Sequence, residues 1–264
     1  MKHDLYIIKL GGSAITDKDA ETSARKEVIQ RIAVEISSIK GRKIVVHGAG
    51  SFGHPIVKLY KIHQGFKEER QLHGFSQTKI QLLQLNTAVL HALAENKVAC
   101  SPFMPSAFLQ SDNKRIVKAE LEPLHHLLEL GVTPVLHGDI VYDKTLGFSI
   151  VSGDQLVSYL AKHFRPHLVV FGCDVDGIYD DDPNRNPSAH LIPTITLGAS
   201  SKVLDSIGRS RTPDITGGMA GKLREALDLA KAGIESVILN ITRPGHLVKL
   251  INGDPVKCTR ILPR

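Results

Sequence analysis

Short apolar runs that end in glycine turns constrain the fold of this chain more than any other feature. Residues 7–10 end in a Gly-Gly-Ser turn at 11–13, and residues 44–46 end in a His-Gly-Ala-Gly turn at 47–50. Later glycine turns occupy residues 152–154, 172–177 and 214–222. Glycine after a buried strand lets backbone N–H groups converge on an anion, and a helix N-terminus adds a favourable dipole. These turns, two of which are accompanied by a lysine, predict phosphate chemistry.

The spacing of the apolar runs predicts an α/β fold. Short runs rich in Val and Ile and bounded by Gly or Pro are typical of strands buried on both faces of a parallel sheet. They occupy residues 5–10, 43–46, 98–100, 132–136, 168–171 and 236–239. Between them, residues 24–39 and 218–231 place apolar side chains on one helical face. Alternating strands and helices predict a three-layer αβα sandwich with a central, mainly parallel sheet.

One stretch departs from this alternation. Residues 135–149 contain turn-like segments between flanks that alternate in polarity, which predicts a β-hairpin. No repeat or obvious linker divides the 264 residues. We therefore predict a single domain over residues 1–264, with an N-terminal lobe of about residues 1–165 and a C-terminal lobe of about residues 166–264.

Composition argues against several classes of protein. The chain has no apolar run of about 18 residues and no basic-then-apolar leader, which predicts a soluble protein that is neither secreted nor membrane-spanning. Cys100, Cys173 and Cys258 are far apart and lack the spacing of a metal or redox site. We therefore expect reduced cysteines in a cytoplasmic protein.

The net charge of +6 has two interpretations. A basic face attracts nucleic acid or steers small phosphorylated ligands. The Lys and Arg residues are scattered, the chain has no Trp, and aromatic residues make up 5% of it, so stacking platforms for bases are not predicted. We expect most of these charges to be solvated, and we predict a small-molecule substrate, no nucleic acid and no membrane partner.

Lys9 lies in an apolar run directly before two glycines. A lysine at a strand end can simply extend to solvent, but the Gly-Gly turn favours a phosphate contact. The spacing differs from the G-x-x-x-x-G-K-[ST] of a P-loop, and no glycine triplet with an acidic partner indicates a dinucleotide site. The pattern predicts a nucleotide kinase of another design.

These motifs resemble the amino acid kinase family over nearly the whole chain. The resemblance rests on residues 8–13, 47–55, 138–139, 152–155, 174–177 and 214–222. It implies an open, mainly parallel sheet between helical layers, with the acceptor in the N-terminal lobe and ATP in the C-terminal lobe. It also implies Mg²⁺ with the nucleotide and a homodimer, while no protein ligands for a metal are predicted. Within the family, the pattern is most similar to that of the isopentenyl phosphate kinases.

The resemblance implies a catalytic set of Lys9, Lys18, Asp154 and Lys222. Lys9 and Lys222 would contact phosphate oxygens, and Asp154 would orient both lysines and keep them charged. Lys18 would stabilise charge on the transferring phosphoryl group. Like Lys9, the other three residues also have simpler alternatives, namely an exposed loop lysine for Lys18, a solvated helix residue for Lys222 and a helix cap for Asp154.

The resemblance also implies two sets of binding residues. His54 follows a glycine loop at a predicted helix start, where the matching histidine of isopentenyl phosphate kinases binds the acceptor phosphate; the alternative is a structural histidine. The predicted acceptor-binding residues are Ala49, Gly50, Gly53, His54 and Gly153. The predicted ATP-binding residues are Lys9, Gly11, Gly12, Ser13, Gly50, Asp174, Tyr179, Gly218 and Lys222.

The expected reaction is ATP-dependent phosphorylation of isopentenyl phosphate to isopentenyl diphosphate, in isoprenoid biosynthesis. A phosphate monoester has a second pKa of about 6, so the acceptor is itself an anionic nucleophile and needs no general base. Its tail needs an apolar pocket, for which Ile56, Tyr60, Phe75 and Ile80 are candidates, the alternative for each being ordinary core packing. Two alternatives stay open: a same-fold kinase for another small phosphate or phosphonate such as fosfomycin, and a non-catalytic nucleotide-binding or oxyanion-storage module.

Overall fold

Strands and helices alternate along most of the chain. The structure, a computed structural model, describes residues 4–17, 20, 22–181, 183, 186, 188–199 and 218–263. Its strands are β1 (Leu5–Leu10), β2 (Arg42–His47), β3 (Cys100–Pro102), β4 (Leu109–Asp112), β5 (Arg115–Ala119), β6 (Thr133–His137), β7 (Asp139–Asp143), β8 (Gly147–Val151), β9 (Leu168–Cys173), β10 (Thr194–Thr196), β11 (Ser236–Asn240) and β12 (Cys258–Leu262). Its helices are α1 (Gly12–Ile15), α2 (Lys26–Ser38), α3 (His54–Leu59), α4 (Arg70–Glu95), α5 (Pro105–Phe108), α6 (Glu122–Glu129), α7 (Gly153–Phe164), α8 (Gly218–Lys231) and α9 (His246–Asn252).

Eight of the described strands form one mainly parallel sheet. Its order is β10-β12-β11-β9-β1-β2-β6-β3, and only the β11–β12 pair is antiparallel. Strand β1 lies inside the sheet, with β2 on one side and β9 on the other. Parallel strands end at the same edge of a sheet, and ligands bind where the strand order reverses. The loops after β1, β2, β6, β9 and β11 are therefore collected at one edge.

Helices cover both faces of this sheet. On one face, Leu156 and Leu160 of α7 and Leu223 of α8 pack with alternate residues of the central strands. On the other face, Ile32 of α2 and Leu85 of α4 pack with the intervening residues. All six residues of β1 are buried, as expected for a strand covered on both sides. The predicted three-layer αβα sandwich is confirmed.

A second, four-stranded sheet has the order β5-β4-β7-β8 within the described residues. Strands β7 and β8 form the predicted hairpin, but the hairpin spans residues 139–151 because β6 takes residues 133–137 into the large sheet. The β4–β5 hairpin was not predicted, because none of the β5 side chains is buried and the strand carries no apolar alternation. The short strands β10 and β12 were also missed.

Gln155 fastens the second sheet to the start of α7. Its side-chain Nε2 donates to Lys114 O at 2.9 Å, and its Oε1 accepts from Ile116 N at 2.9 Å. These two contacts hold the β4–β5 turn beside the first turn of α7. Because Gln155 directly follows Asp154, the same contacts also fix the segment that carries that carboxylate.

The single domain and its division near residue 165 stay predictions. Apolar side chains from both halves of the chain, such as Leu136 and Leu223, contribute to the same core. Among the described residues, no helix has the length and apolar character that crossing a membrane requires.

Candidate active site

Three buried charged side chains meet near the edge at which the parallel strands end. Lys9 is on β1, Asp154 is the second residue of α7, and Lys222 is on α8. Asp154 Oδ1 accepts a hydrogen bond from Lys9 Nζ at 2.6 Å and from Lys222 Nζ at 3.1 Å. The three residues are 5–7% exposed. Three of the four predicted catalytic residues therefore form one cluster.

The cluster sets the protonation of its members. Burial lowers the pKa of Lys9 to about 8, although Asp154 opposes this shift. Burial would lower the pKa of Lys222 as well, but Asp154 holds it above its ordinary value. Burial also opposes the charge of Asp154, but the two lysines hold its pKa at about 2. At neutral pH two cations and one anion leave one net positive charge, which suits an anionic ligand.

Two glycine loops approach each other where β1 and β2 end. A Cβ atom on Gly12 would lie 2.5 Å from Gly50 N, and one on Gly48 would lie 2.6 Å from Gly12 N. Gly50 has a φ of +51°, which also favours glycine. A side chain at Gly12 or Gly48 would collide with backbone, so the loops present backbone groups to each other and to the sheet edge.

The start of α7 brings a third backbone segment to the cluster. Ser152 caps this helix with its side chain. A Cβ atom on Gly153 would lie 3.1 Å from Lys9 Cε and 3.3 Å from His47 O. The predicted residue Gly153 therefore lies against Lys9, at a helix N-terminus that favours an anion.

The first loop is joined to the end of β9. Ser13 Oγ donates to Asp174 Oδ1 at 2.8 Å. Gly11 N donates to Gly172 O at 2.9 Å, which links the same two segments through the backbone. The predicted ATP-binding residues of these segments therefore lie together.

A charge pair that was not predicted from the sequence lies just beyond the ends of β9 and β11, with Asp176 buried and the Arg243 side chain 51% exposed. Arg243 contacts Asp176 through Nε at 2.8 Å and through Nη2 at 2.9 Å, and Asn240 Nδ2 donates to Asp176 Oδ1 at 3.1 Å. Burial raises the pKa of Tyr179, and the charge of Asp176 raises it further. Predicted Tyr179 thus lies within electrostatic reach of this pair. No motif marks Arg243 in the sequence. Its contact with Asp176 depends on the two strand ends lying side by side in the fold.

His54 begins α3 directly after the second glycine loop and is half-buried. Gly53 is the N-cap of this helix, and a Cβ atom on Gly53 would lie 2.8 Å from Ala49 Cβ. The predicted acceptor-binding residues Ala49, Gly50, Gly53 and His54 therefore share one short loop and helix start.

Two predicted residues lie at the limits of what the structure describes. Lys18 lies outside the described residues, so its role stays a prediction. Gly218 is the first residue of α8 and has a φ of +52°. It lies at the N-terminal end of the helix that carries Lys222, and the preceding residues 200–217 are outside the described part of the chain.

An apolar cluster forms where α3, α4 and the β7–β8 hairpin meet. Its members are Val57, Ile62, Ile140 and Phe148, with Tyr60, Phe75 and Ile150 packed against them. The Phe75 and Phe148 ring centroids are 5.6 Å apart. Of the predicted pocket residues, Tyr60 and Phe75 join this cluster. Ile80 is not part of this cluster and is 55% exposed on α4, so its assignment to the pocket stays a prediction.

Comparisons with known proteins identify the family that shares this arrangement. The sequence model of the amino acid kinase family matches residues 4–240. The chain belongs to the amino acid kinase family. This confirms the resemblance carried by its glycine motifs.

Relatives within the amino acid kinase family are similar over nearly their full length. The isopentenyl phosphate kinase of Methanothermobacter thermautotrophicus is 39% identical over 97% of this chain and 98% of its own. That of Arabidopsis thaliana is 32% identical over 94% of this chain and 90% of its own. A crystal structure of an isopentenyl phosphate kinase has a TM-score of 0.84 and 37% identity, covering 97% of this chain and all 100% of that one. The predicted fold class is confirmed by this match.

Replacing Asp154 tests the charge balance of the cluster. In Asp154→Asn, two buried ammonium groups lose their counter-charge, and we expect the free energy of unfolding at pH 7 to fall by about 3–5 kcal/mol. The pKa values of both lysines in the folded variant then fall below the unfolded value of about 10.4. The unfolded state binds more protons between these values, so the stability of the variant rises from pH 7 to about pH 10.

Urea unfolding at pH 7 and at pH 9.5 measures both effects. Asp228→Asn is the matched control, because it removes the more exposed Lys162–Asp228 pair between the same two helices. We expect this control to change stability by about 1 kcal/mol or less. Equal losses in the two variants, or no recovery of Asp154→Asn at the higher pH, would contradict the described charge balance.

Proposed function

We propose that this chain transfers the γ-phosphoryl group of ATP to isopentenyl phosphate and forms isopentenyl diphosphate, a step of isoprenoid biosynthesis. The observation that carries the proposal is the buried Lys9–Asp154–Lys222 cluster, which lies beside the glycine loops predicted to bind both substrates. Similarity to isopentenyl phosphate kinases over nearly the whole chain supports this acceptor.

The nucleotide is assigned to the loops after β1 and β9 and to the start of α8. Lys9 and Lys222 supply the positive charge for its phosphate oxygens, and Asp154 orients both lysines. Asp174 and Tyr179 lie towards the ribose or base. The backbone contacts are assigned to Gly11, Gly12, Ser13, Gly50 and Gly218, which lie at loops or helix starts.

The acceptor phosphate is assigned to the loop after β2 and to the start of α7. Ala49, Gly50, Gly53 and Gly153 offer backbone approach, and the His54 imidazole holds the phosphate from the start of α3. The isopentenyl tail fits the neighbouring apolar cluster of Tyr60, Phe75 and Phe148, because that surface is lined by aromatic and aliphatic side chains. This division gives an N-terminal acceptor lobe and a C-terminal ATP lobe.

The chemistry follows from charge and alignment. The acceptor phosphate is mostly a dianion at neutral pH, since its second pKa is about 6, and it attacks the γ-phosphorus without a general base. Two phosphate groups repel each other, so the protein must neutralise them and hold them in line. Lys9 lies between the two assigned sites, and Lys18 is assigned to the transferring phosphoryl group. The close contact of the two glycine loops keeps these sites adjacent.

We propose that Mg²⁺ enters with ATP. No group of three or more His, Cys, Asp or Glu side chains that could hold a metal ion occurs among the described residues. Mg²⁺ usually keeps several waters and binds through substrate phosphates with one or two carboxylates, so this arrangement fits an ion held mainly by the nucleotide. When bound, the ion would neutralise phosphate charge.

The active protein is proposed to be a cytoplasmic homodimer. All three cysteines are free, which suits a reducing compartment. Light scattering of the purified chain measures its oligomeric state.

An acceptor panel tests the function. ADP formation is followed with isopentenyl phosphate, fosfomycin and glutamate at equal concentrations, and Lys9→Met serves as a matched variant that keeps the side-chain length without the charge. We expect ADP with isopentenyl phosphate only, and a loss of about 100-fold or more in Lys9→Met. Phosphorylation of fosfomycin in preference would favour the alternative kinase. ATP binding without turnover on any acceptor would favour a non-catalytic module.

Substitution of His54 tests the acceptor assignment. His54→Ala removes a hydrogen-bond donor to a charged phosphate, so we expect the KM for isopentenyl phosphate to rise about 10- to 100-fold. His54→Gln keeps a donor and should be milder, while the KM for ATP should change little in both variants. His91→Ala, an exposed histidine on α4, is the control. Equal effects on both substrates would mean that His54 does not belong to the acceptor site.

A further inference from the structure

Two buried histidines occupy matching places on adjacent strands. His47 ends β2, His137 ends β6, and the two are register partners in the parallel sheet. Their ring centroids are 5.3 Å apart, and the residues are 0% and 1% exposed. A glycine turn follows each of them. None of the roles assigned above uses either imidazole.

Both imidazoles make the same hydrogen bond. The Nδ1 atom of His47 lies 3.0 Å from Gly48 O, and the Nδ1 atom of His137 lies 3.0 Å from Gly138 O. A carbonyl oxygen only accepts, so the hydrogen is on Nδ1 in both rings. The Nε2 atoms have no hydrogen-bond partner among the described residues. Burial lowers the pKa of His47 to about 3 and also lowers the pKa of His137, so both rings are neutral near pH 7.

The bond from His47 fixes the direction of the next peptide group. A trans peptide has its C=O and N–H pointing opposite ways, so holding Gly48 O also sets the direction of the Ala49 N–H. Gly48 N is already fixed, because it donates to Leu10 O at 2.9 Å. Within the described part of the chain, neither the Ala49 N–H nor the Gly50 N–H donates to a backbone carbonyl. The imidazole therefore controls the first of two donors that are free to bind a ligand.

We propose that His47 is a positioning residue for the acceptor phosphate: its Nδ1–H holds the Gly48 carbonyl so that the Ala49 N–H points at the phosphate. This inference rests on the proposed function for the identity of the acceptor. If the peptide turned over, an oxygen would face the anion in place of an N–H, and attraction would become repulsion. The tight contact of Gly48 with Gly12 leaves the loop no room to move away instead.

His137 supports this assignment because it repeats the arrangement at the neighbouring turn. The carbonyl that His137 holds belongs to Gly138. A Cβ atom on Gly138 would lie 2.9 Å from Gly153 N, so the two backbone segments are in close contact. Gly153 is the acceptor-binding residue assigned at the start of α7. Two neutral imidazoles therefore fix the backbone on two sides of the same proposed phosphate site.

Replacements of His47 separate positioning from simple packing. The Nδ2 atom of an asparagine is as many bonds from Cα as the Nδ1 atom of histidine, so His47→Asn keeps a donor in place. His47→Leu has nearly the shape of His47→Asn without the donor. Asn86→Leu is the control for placing leucine at a buried polar position, because Asn86 is 2% exposed on α4 and its polar side-chain atoms have no partner among the described residues.

Isothermal titration calorimetry of the full chain measures the Kd for isopentenyl phosphate and for ATP separately. We expect His47→Leu to weaken isopentenyl phosphate binding about tenfold or more and His47→Asn to stay within about threefold of wild type. The Kd for ATP should change by less than about twofold in both, and Asn86→Leu should change neither Kd. Unchanged acceptor binding in His47→Leu, an equal loss in His47→Asn, or an equal loss for ATP would overturn the proposal.

A spectroscopic measurement on the wild-type chain covers the case in which His47→Leu fails to fold. Two-bond ¹H–¹⁵N spectra at pH 7 should show His47 as the neutral Nδ1–H tautomer, and an Nε2–H tautomer or an imidazolium would overturn the proposal. If the wild-type chain binds no isopentenyl phosphate, the proposed function fails. The same Kd comparison with fosfomycin, together with the tautomer, then decides the role of His47.

Discussion

One carboxylate oxygen shared by two buried ammonium groups is the interaction on which the candidate site depends. Taking charges out of water costs several kcal/mol per ion, so Lys9 and Lys222 stay charged under the sheet edge only because Asp154 lies between them. The charges of the cluster do not cancel, since two lysines and one aspartate leave one net positive charge. This remaining positive charge favours an anion such as a phosphate group.

The parallel sheet makes this interaction possible. Asp154 is 145 residues from Lys9 and 68 residues from Lys222 along the chain, and the three meet because β1, α7 and α8 all approach the same edge. The glycine loops add a close approach of backbone segments at the same edge. Gly12 and Gly48 allow backbone contact that a Cβ atom would prevent. Buried His47 adds the orientation of one peptide group to this arrangement.

The residues of the candidate site that lie within a recognisable sequence motif could be predicted from the sequence. Lys9 was found because two glycines follow its strand end, whereas the role of Asp154 was implied by the resemblance to the amino acid kinase family. The Asp176–Arg243 pair was missed because its partners are 67 residues apart and Arg243 has no motif around it. Ile80 lies outside the apolar cluster because α4 carries apolar residues on an exposed face as well as a buried one, and helical spacing does not say which face meets the hairpin. His47 could be seen in the sequence, but its hydrogen bond depends on the Gly48 carbonyl, whose direction only the fold determines.

The pH dependence of kcat/KM for ATP tests most directly whether the charge of Lys9 drives the reaction. This ratio reports the ionisation of the free enzyme, in which burial lowers the pKa of Lys9 to about 8. Lys9 is charged below that pH and loses its proton above it. The account therefore predicts that kcat/KM for ATP falls about tenfold per pH unit as the pH rises beyond about 8. A ratio that stays constant up to pH 10 would contradict it, because the reaction would then proceed without the Lys9 charge.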